Sequence, residues 1–561
     1  SMLEPVGWEV LEILNFCRLA YSTSSWLSFG DKWISSEMGP QQGDPLGPLL
    51  FSLTLHPLLV RLKSDIAFSY LDDVSMGGPA NVVEADLLDF MRDASDLGLS
   101  LNVGKCEVVG SNPVGLPHSF VNFKTLKPEE CILLGSPLFE GPAMDDAIEA
   151  RCIELQRASS RFHLITAHDA LVFLKSCMGA CKMLHHLRSA PCACHPGLEK
   201  FDLLIRDALS RITNSAIGDL EWIQASLPVA RGGLGIRSVV LLAPSAFLAS
   251  AAATWATQFS LLPAGFGLVD DRVSVMTQLW QSRHPLAFAP LELCSKQESW
   301  DEASIKAGLE ILKSAASDAH DQARLLAVAA PHAGDWLNAL PISVCGLRLD
   351  NEAIRVAVGL RLGLKLCAPH ACPCGAAVDA RGVHGLSCKR SLGRSIRHSL
   401  INDLVVRAME RAKIPAVKEP VGLLRSDGKR PDGATLVPWH MGRCLAWDVT
   451  VSDTLAPSYL PATSKAGGAA SELADNRKQL KYVAIRASHE FVAIACETLG
   501  PINESGLDFL KKLSRRVSLV TGDVRECTFL LQRLSVLIQR CNSIAFSGSF
   551  CGPVDTDSNS G

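Results

Sequence analysis

Two aspartates stand side by side at residues 72 and 73, directly after Tyr70 and Leu71 in the stretch FSYLDD. Adjacent carboxylates repel unless a cation lies between them, and hard divalent ions such as Mg2+ take carboxylate oxygens. The same stretch also fits a plain strand ending in a polar turn. A second pair of acids is Asp432, in the run RPDG, and Asp448, in CLAWDVTV. One opens a hairpin strand and the other lies in its partner, so the two can meet around one Mg2+ or Mn2+, with Glu419 from the preceding element as a third acid. A third group lies between these, where Cys372, Cys374, His384 and Cys388 place three thiols and one imidazole in a glycine-rich loop. That is the ligand count of a closed structural Zn2+ site. Its Cys-x-Cys spacing is tighter than the commoner pattern, and Cys367 and His370 stand near enough in sequence to be alternative ligands.

The flanking segments supply elements able to hold these groups. LGPLLFSLTLHPLLVRL, residues 46–62, carries leucines at helical spacing and predicts a helix packed under Asp72 and Asp73. LNVGKCE, residues 101–107, leads into a strand with Lys105 just before it, and LLGSPL, residues 133–138, is an apolar run closed by Gly and Pro. Residues 141–345 read as helical throughout. After the Cys/His loop, a strand, a Gly turn and the strand bearing Asp448 are followed by a helix over 470–491, a closing strand at CETLG and a last helix over 529–546.

The order of the first four segments resembles the palm of reverse transcriptases, in particular those of non-LTR retrotransposons. The resemblance implies that Asp72 is a metal ligand supported by Asp73. It also implies that Tyr70, Gln42 and Gly43 lie against the template and incoming deoxynucleotide, and that Lys105 lies near the leaving pyrophosphate. Two-metal phosphoryl transfer needs a further carboxylate, which the family draws from a strand preceding the QGDPL segment. The acids before that segment, Glu4, Glu9, Glu12, Asp31 and Glu37, sit in no such strand. The chain opens on Ser1, and the expectation is a palm without fingers or first strand and a doubtful polymerase.

The Cys/His loop resembles the zinc knuckle that precedes the nuclease in non-LTR elements with a restriction-like endonuclease. Residues 417–453 resemble the PD-(D/E)xK nuclease core, with Thr450 in the lysine position. In these elements a later helix supplies the lysine, which here implies Lys478 or Lys481, three residues apart on one face. The resemblance thus implies an RNA-directed DNA polymerase and DNA endonuclease that copies RNA from a nick. Mg2+ or Mn2+ and Zn2+ are its cofactors, an RNA template, target DNA and deoxynucleotides its partners, and the nucleus its place of action. The rival reading is a catalytically silent or domesticated nucleic-acid-binding protein that keeps the fold and zinc site.

Composition bounds both readings. The chain has 561 residues, 48% hydrophobic and 20% charged, enough for several globular domains. The expected class is α+β and multidomain. It comprises a partial palm at 1–140, a helical thumb and connector at 141–345, a zinc region at 346–400, an α/β nuclease at 401–545 and a disordered tail at 546–561. A net charge of −4 gives no global pull toward nucleic acid. Binding must therefore use local runs such as CKRSLGRSIRH, residues 388–398, and LKKLSRR, residues 510–516. Nineteen cysteines without a secretory signal fit reduced thiols, some of them metal ligands. The uncharged stretch 238–269 is interrupted by Pro244 and Pro263 and predicts a buried helix pair rather than a membrane span.

Overall fold

The computed structural model describes residues 11–37, 39–40, 43–110, 116–263, 270–290, 294–423 and 428–550. It is α+β, mostly helical with small sheets. Two compact units divide it, Ser1–Ala143 with Ala251–Ser274, and Met144–Ser250 with Val275–Gly561.

The first unit opens with helix α1 (Leu11–Tyr21) and a hairpin of β1 (Ser25–Phe29) and β2 (Lys32–Ser36), followed by α2 (Gly47–Leu59). A second hairpin, β3 (Ile66–Tyr70) and β4 (Asp73–Gly77), pairs Tyr70 directly with Asp73. A two-residue turn therefore has to reverse the chain, and Leu71 takes a left-handed φ of 58° to do so. Leu55 and Leu58 of α2 pack with Phe90 and Ala94 of α3 (Ala80–Asp96), and Val74 and Met76 of β4 join that core. Asp86, buried on α3, accepts the Lys63 and Ser64 N–H groups and fixes the loop that feeds β3. Two short pairs complete the strands: β5 (Glu107–Val109) with β6 (Lys124–Leu126), and β7 (Ile132–Leu133) with β8 (Ser136–Pro137).

A run of helices comes next: α4 (Pro142–Ser159), α5 (Ala167–Phe173), α6 (Ala180–Ser189), α7 (Pro196–Thr213), α8 (Asp219–Ser226), α9 (Val239–Leu261), α10 (Asp271–Arg283), α11 (Gln297–Ala315), α12 (Ala319–Val328) and α13 (Asn351–Leu362). The segment LPVARGGLGIRS folds around a buried cation. Arg361 of α13 donates to the carbonyls of Val229, Gly233 and Ala333, and burial pushes its pKa down to about 9. Where a helix pair was expected over 238–269, α9 is one continuous helix. It is long and apolar enough to cross a membrane by length and composition, yet half of its most apolar window is buried inside the protein. Pro244 is tolerated because the carbonyl it leaves unpaired, that of Val240, accepts from Arg283 at 2.9 Å.

The rest of the second unit holds a short hairpin, β9 (His370–Ala371) with β10 (Ala377–Val378), then α14 (His384–Ser387) and α15 (Leu392–Arg411). Next come β11 (Ala416–Lys418), β12 (Gly433–Thr435), β13 (Cys444–Ser452), α16 (Leu460–Thr463), α17 (Ala469–Lys481), β14 (His489–Glu497), α18 (Glu504–Thr521) and α19 (Glu526–Ser547). The sheet order is β11-β12-β13-β14, antiparallel except for the parallel β13–β14 pair, which the α16–α17 crossover makes possible. Strand alternation sorts β13 between two cores. Leu445, Trp447 and Val449 face α15, α18 and α19, whereas Ala446 faces the side where Tyr482, Ile485, Phe491 and Ala493 pack. Asp448 is in phase with Ala446. Residues 546–550, expected to begin a disordered tail, are instead packed: Phe546 is buried and Phe550 stacks on His370 at 4.3 Å. Residues 551–561 lie outside the described ones.

Candidate active site and metal centre

Asp432 ends the loop before β12 and Asp448 lies in the middle of β13. The Asp432 carboxylate accepts the Val449 N–H at 2.6 Å, which draws it onto the strand beside Asp448. Its backbone carbonyl accepts from Glu419 N at 3.1 Å and from the Asn402 amide at 3.0 Å. Gly433 makes this approach possible, because a Cβ there would fall 2.0 Å from the Trp447 ring. Asp448 is buried, and the last turns of α17 meet it. Lys478 Nζ pairs with one of its oxygens, and the Tyr482 hydroxyl donates to the other at 2.8 Å. Burial raises the Asp448 pKa, the Asp432 charge raises it further, and Lys478 and Tyr482 oppose the shift.

The structure separates the two candidate lysines. Lys478 reaches the acid, whereas Lys481 donates to the Tyr482 hydroxyl at 3.1 Å and lies over that ring. Glu419 is not brought to the acids. It has a left-handed backbone (φ 46°), its side chain is 71% exposed, and its carboxylate faces Arg430 at 4.0 Å. Two residues that sequence reasoning missed complete the cluster. His398 of α15 sits with Nε2 3.0 Å from Asp432, and the bond to that carboxylate raises the imidazole pKa. Asn402, one turn later, ties the Asp432 carbonyl to Trp447 Nε1. Their spacing of four on one helix was the available signal; His398 closes the basic run 388–398 and Asn402 lies just beyond it.

The cysteines and histidine converge as well. The ligand atoms of Cys372, Cys374, His384 and Cys388 all lie within 4.8 Å of one another, the one such cluster of three or more among the described residues. Cys372 and Cys388 sulfurs are 3.6 Å apart, and Cys374 Sγ is 3.2 Å from His384 Nε2. Four Zn–ligand bonds in tetrahedral array put sulfurs about 3.8 Å apart, so the donors fit zinc. A turn closed by Gly375 N to Cys372 O, with Gly375 left-handed at φ 89°, brings the two neighbouring thiols to the same point. Hydrogen bonding, first from the Ala376 N–H, holds the Cys374 thiol down at about 6, a thiolate at neutral pH. The alternative ligands are engaged elsewhere: Cys367 donates to the Asp379 and Ala380 carbonyls, and His370 meets Ser549 and Phe550. Gly385 lets the Cys/His loop dock against α19, since a Cβ there would lie 2.7 Å from Ala545 O.

In the first unit, Asp72 and Asp73 are exposed at the β3–β4 turn, and Tyr70 beside them is 62% exposed. Among the described residues no third acid or histidine joins them in a cluster of metal-ligand spacing. Lys105 is exposed at the end of a 3-10 turn before β5. Gly43 takes φ 90° in the turn that Asp44 caps by accepting Leu46 N, while Gln42 lies outside the described residues.

No protein-family model matches the chain. One curated protein similar to it is the retrovirus-related Pol polyprotein from type-2 retrotransposable element R2DM of Drosophila melanogaster. It is 38% identical over 96 aligned residues, covering 14% of this chain and 9% of the relative. The similarity supports a retroelement-related chain. The chain thus spans a small fraction of the length of the curated relative it matches.

Proposed function

We propose that this chain is a stretch of a non-LTR retrotransposon polyprotein in which residues 401–545 nick DNA, working on chromosomal target DNA in the nucleus. The reading is carried by the cluster Asp432, Asp448 and Lys478 on a four-stranded sheet whose last two strands are parallel across a helical crossover. Asp432 and Asp448 would hold a divalent ion, Mg2+ or Mn2+. When bound, it polarises the attacking water and neutralises charge on the phosphate. The donors suit such an ion: burial and the neighbouring Asp432 charge both raise the proton affinity of Asp448, and a cation placed between the two carboxylates would relieve that repulsion. Lys478 sets positive charge beside the position where charge develops on the scissile phosphate. Tyr482 holds Asp448 in one orientation, His398 and the Val449 N–H hold Asp432, and Asn402 locks the loop carrying it.

The Cys372, Cys374, His384 and Cys388 centre is proposed to bind Zn2+ and to seat the start of α15, from which His398 reaches the acids. Residues 1–140 are read as a palm in which Asp72 and Asp73, Lys105, Tyr70, Gln42 and Gly43 descend from a polymerase site, with 141–345 as thumb and connector. By itself this chain is proposed not to extend primers. Incubating the zinc-loaded chain with supercoiled plasmid and Mg2+ or Mn2+ tests the nuclease. Open circles should form with wild type and not with Asp448→Ala; no nicking of any DNA by folded, zinc-loaded protein would sink the reading.

A further inference from the structure

The opposite face of α15 carries a feature that neither the acids nor the thiols use. Arg407 lies nine residues beyond His398, two and a half helical turns, which puts it on the far side of the helix and roughly 13 Å further along its axis. Arg411 comes one turn later on the same side, and Arg533 of α19 meets them. The guanidinium groups of Arg411 and Arg533 both cover the ring of Phe529, at 5.6 and 5.5 Å from its centre. Arg411 pairs with Glu526, while among the described residues Arg407 and Arg533 pair with no carboxylate. Burial lowers the Arg533 pKa, and repulsion from Arg407 and Arg411 lowers it further. Three neighbouring guanidinium groups, of which Arg411 alone pairs with an acid, leave a net cationic cluster that an anionic partner would relieve.

We propose that Arg407, Arg411 and Arg533 form a docking surface for the phosphodiester backbone of duplex DNA, distinct from the strand positioned at Asp432 and Asp448. Guanidinium forks match phosphate oxygens, and those of Arg411 and Arg533 are held in place by the Phe529 ring beneath them. Duplex fits better than single strand because single-strand sites expose aromatic rings for base stacking, and Phe529 is already covered by two guanidinium groups. The choice of DNA among polyanions rests on the nuclease reading.

Fluorescence anisotropy of zinc-loaded full chain with a labelled 30-base-pair duplex, without Mg2+ or Mn2+, tests this separately from cleavage. In Arg407→Gln/Arg533→Gln the slope of log affinity against log salt should fall by about 2, and affinity at 0.15 M salt by about 30-fold. Arg407→Lys/Arg533→Lys should recover most of the slope. Unchanged affinity and slope in the glutamine variant, with its thermal melt intact, would overturn the proposal. So would a loss confined to single-stranded RNA of the same sequence. A glutamine variant that melts early is replaced in the comparison by the lysine pair against wild type, where a lost slope counts against the assignment.

Discussion

Replacing Cys374 by Ser removes one ligand from the four-donor cluster while changing a single atom. Structural zinc sites contribute about 10–16 kcal/mol, so one ligand of four accounts for about 3 kcal/mol, or roughly 100-fold in zinc affinity. The Cys374 thiol, held down at about 6 by hydrogen bonding, is ready to ligate as a thiolate at neutral pH, whereas a serine hydroxyl stays protonated. Zinc measured by mass spectrometry after exchange against a weak chelator should fall from one equivalent to a small fraction in Cys374→Ser. Cys367→Ser and His370→Asn should keep full zinc, since those side chains bond to Asp379, Ala380 and Ser549 instead. Because the Cys/His loop docks on Ala545 through Gly385, zinc loss should also lower the melting temperature of the second unit. Full zinc in Cys374→Ser, or loss of zinc in Cys367→Ser, would refute the ligand assignment.

Three further outcomes are expected on the same physical grounds. Gly433→Ala puts a Cβ 2.0 Å from the fully buried Trp447 ring; the overpacking should cost about 3 kcal/mol or more by urea denaturation and displace Asp432, lowering any nicking with it. His168, buried with Nδ1 accepting the Leu349 N–H, has its pKa lowered to about 4 by burial. The unfolded chain therefore binds more protons between about pH 4 and 6.5, so this contribution is complete above about pH 6.5 and falls as pH drops, by about 2 kcal/mol at about pH 5. His168→Asn should lose that part of the pH dependence, and an unchanged profile would contradict it. Finally, a primer–template assay with the isolated chain should show no incorporation; incorporation abolished by Asp72→Ala would mean another acid completes the site.

Legibility in the sequence tracked the range of the interaction. The Cys/His set is encoded within seventeen residues, and the run from Asp432 to Asp448 is a local hairpin, so the nearness of the donors and of the two acids could be read from spacing. His398 could not, because its bond to Asp432 spans thirty-four residues and depends on how α15 crosses the sheet. Lys478 and Lys481 share one face of α17 in sequence terms. Only the phase of Asp448 on β13, pointing to the Tyr482 side, selects Lys478. Arg361 gives no sign of burial in its own helix, and it is buried because three backbone carbonyls from two loops converge on it. The packing of 546–550 was hidden for a similar reason. Phe546 and Phe550 find their places against Gly382 and His370, about 170 residues earlier, and a polar, glycine-containing end gives no sign of that.

The central claim is that Asp432 and Asp448 act as one unit in cleaving DNA. Single-turnover nicking of supercoiled plasmid in Mn2+ by wild type, Asp432→Ala, Asp448→Ala and the double variant tests it most directly. Each single change should remove nearly all activity, by about 10³-fold or more, and the double variant should lose little beyond either, as for residues acting together. Nicking that persists in both single variants, or losses that multiply in the double variant, would contradict it.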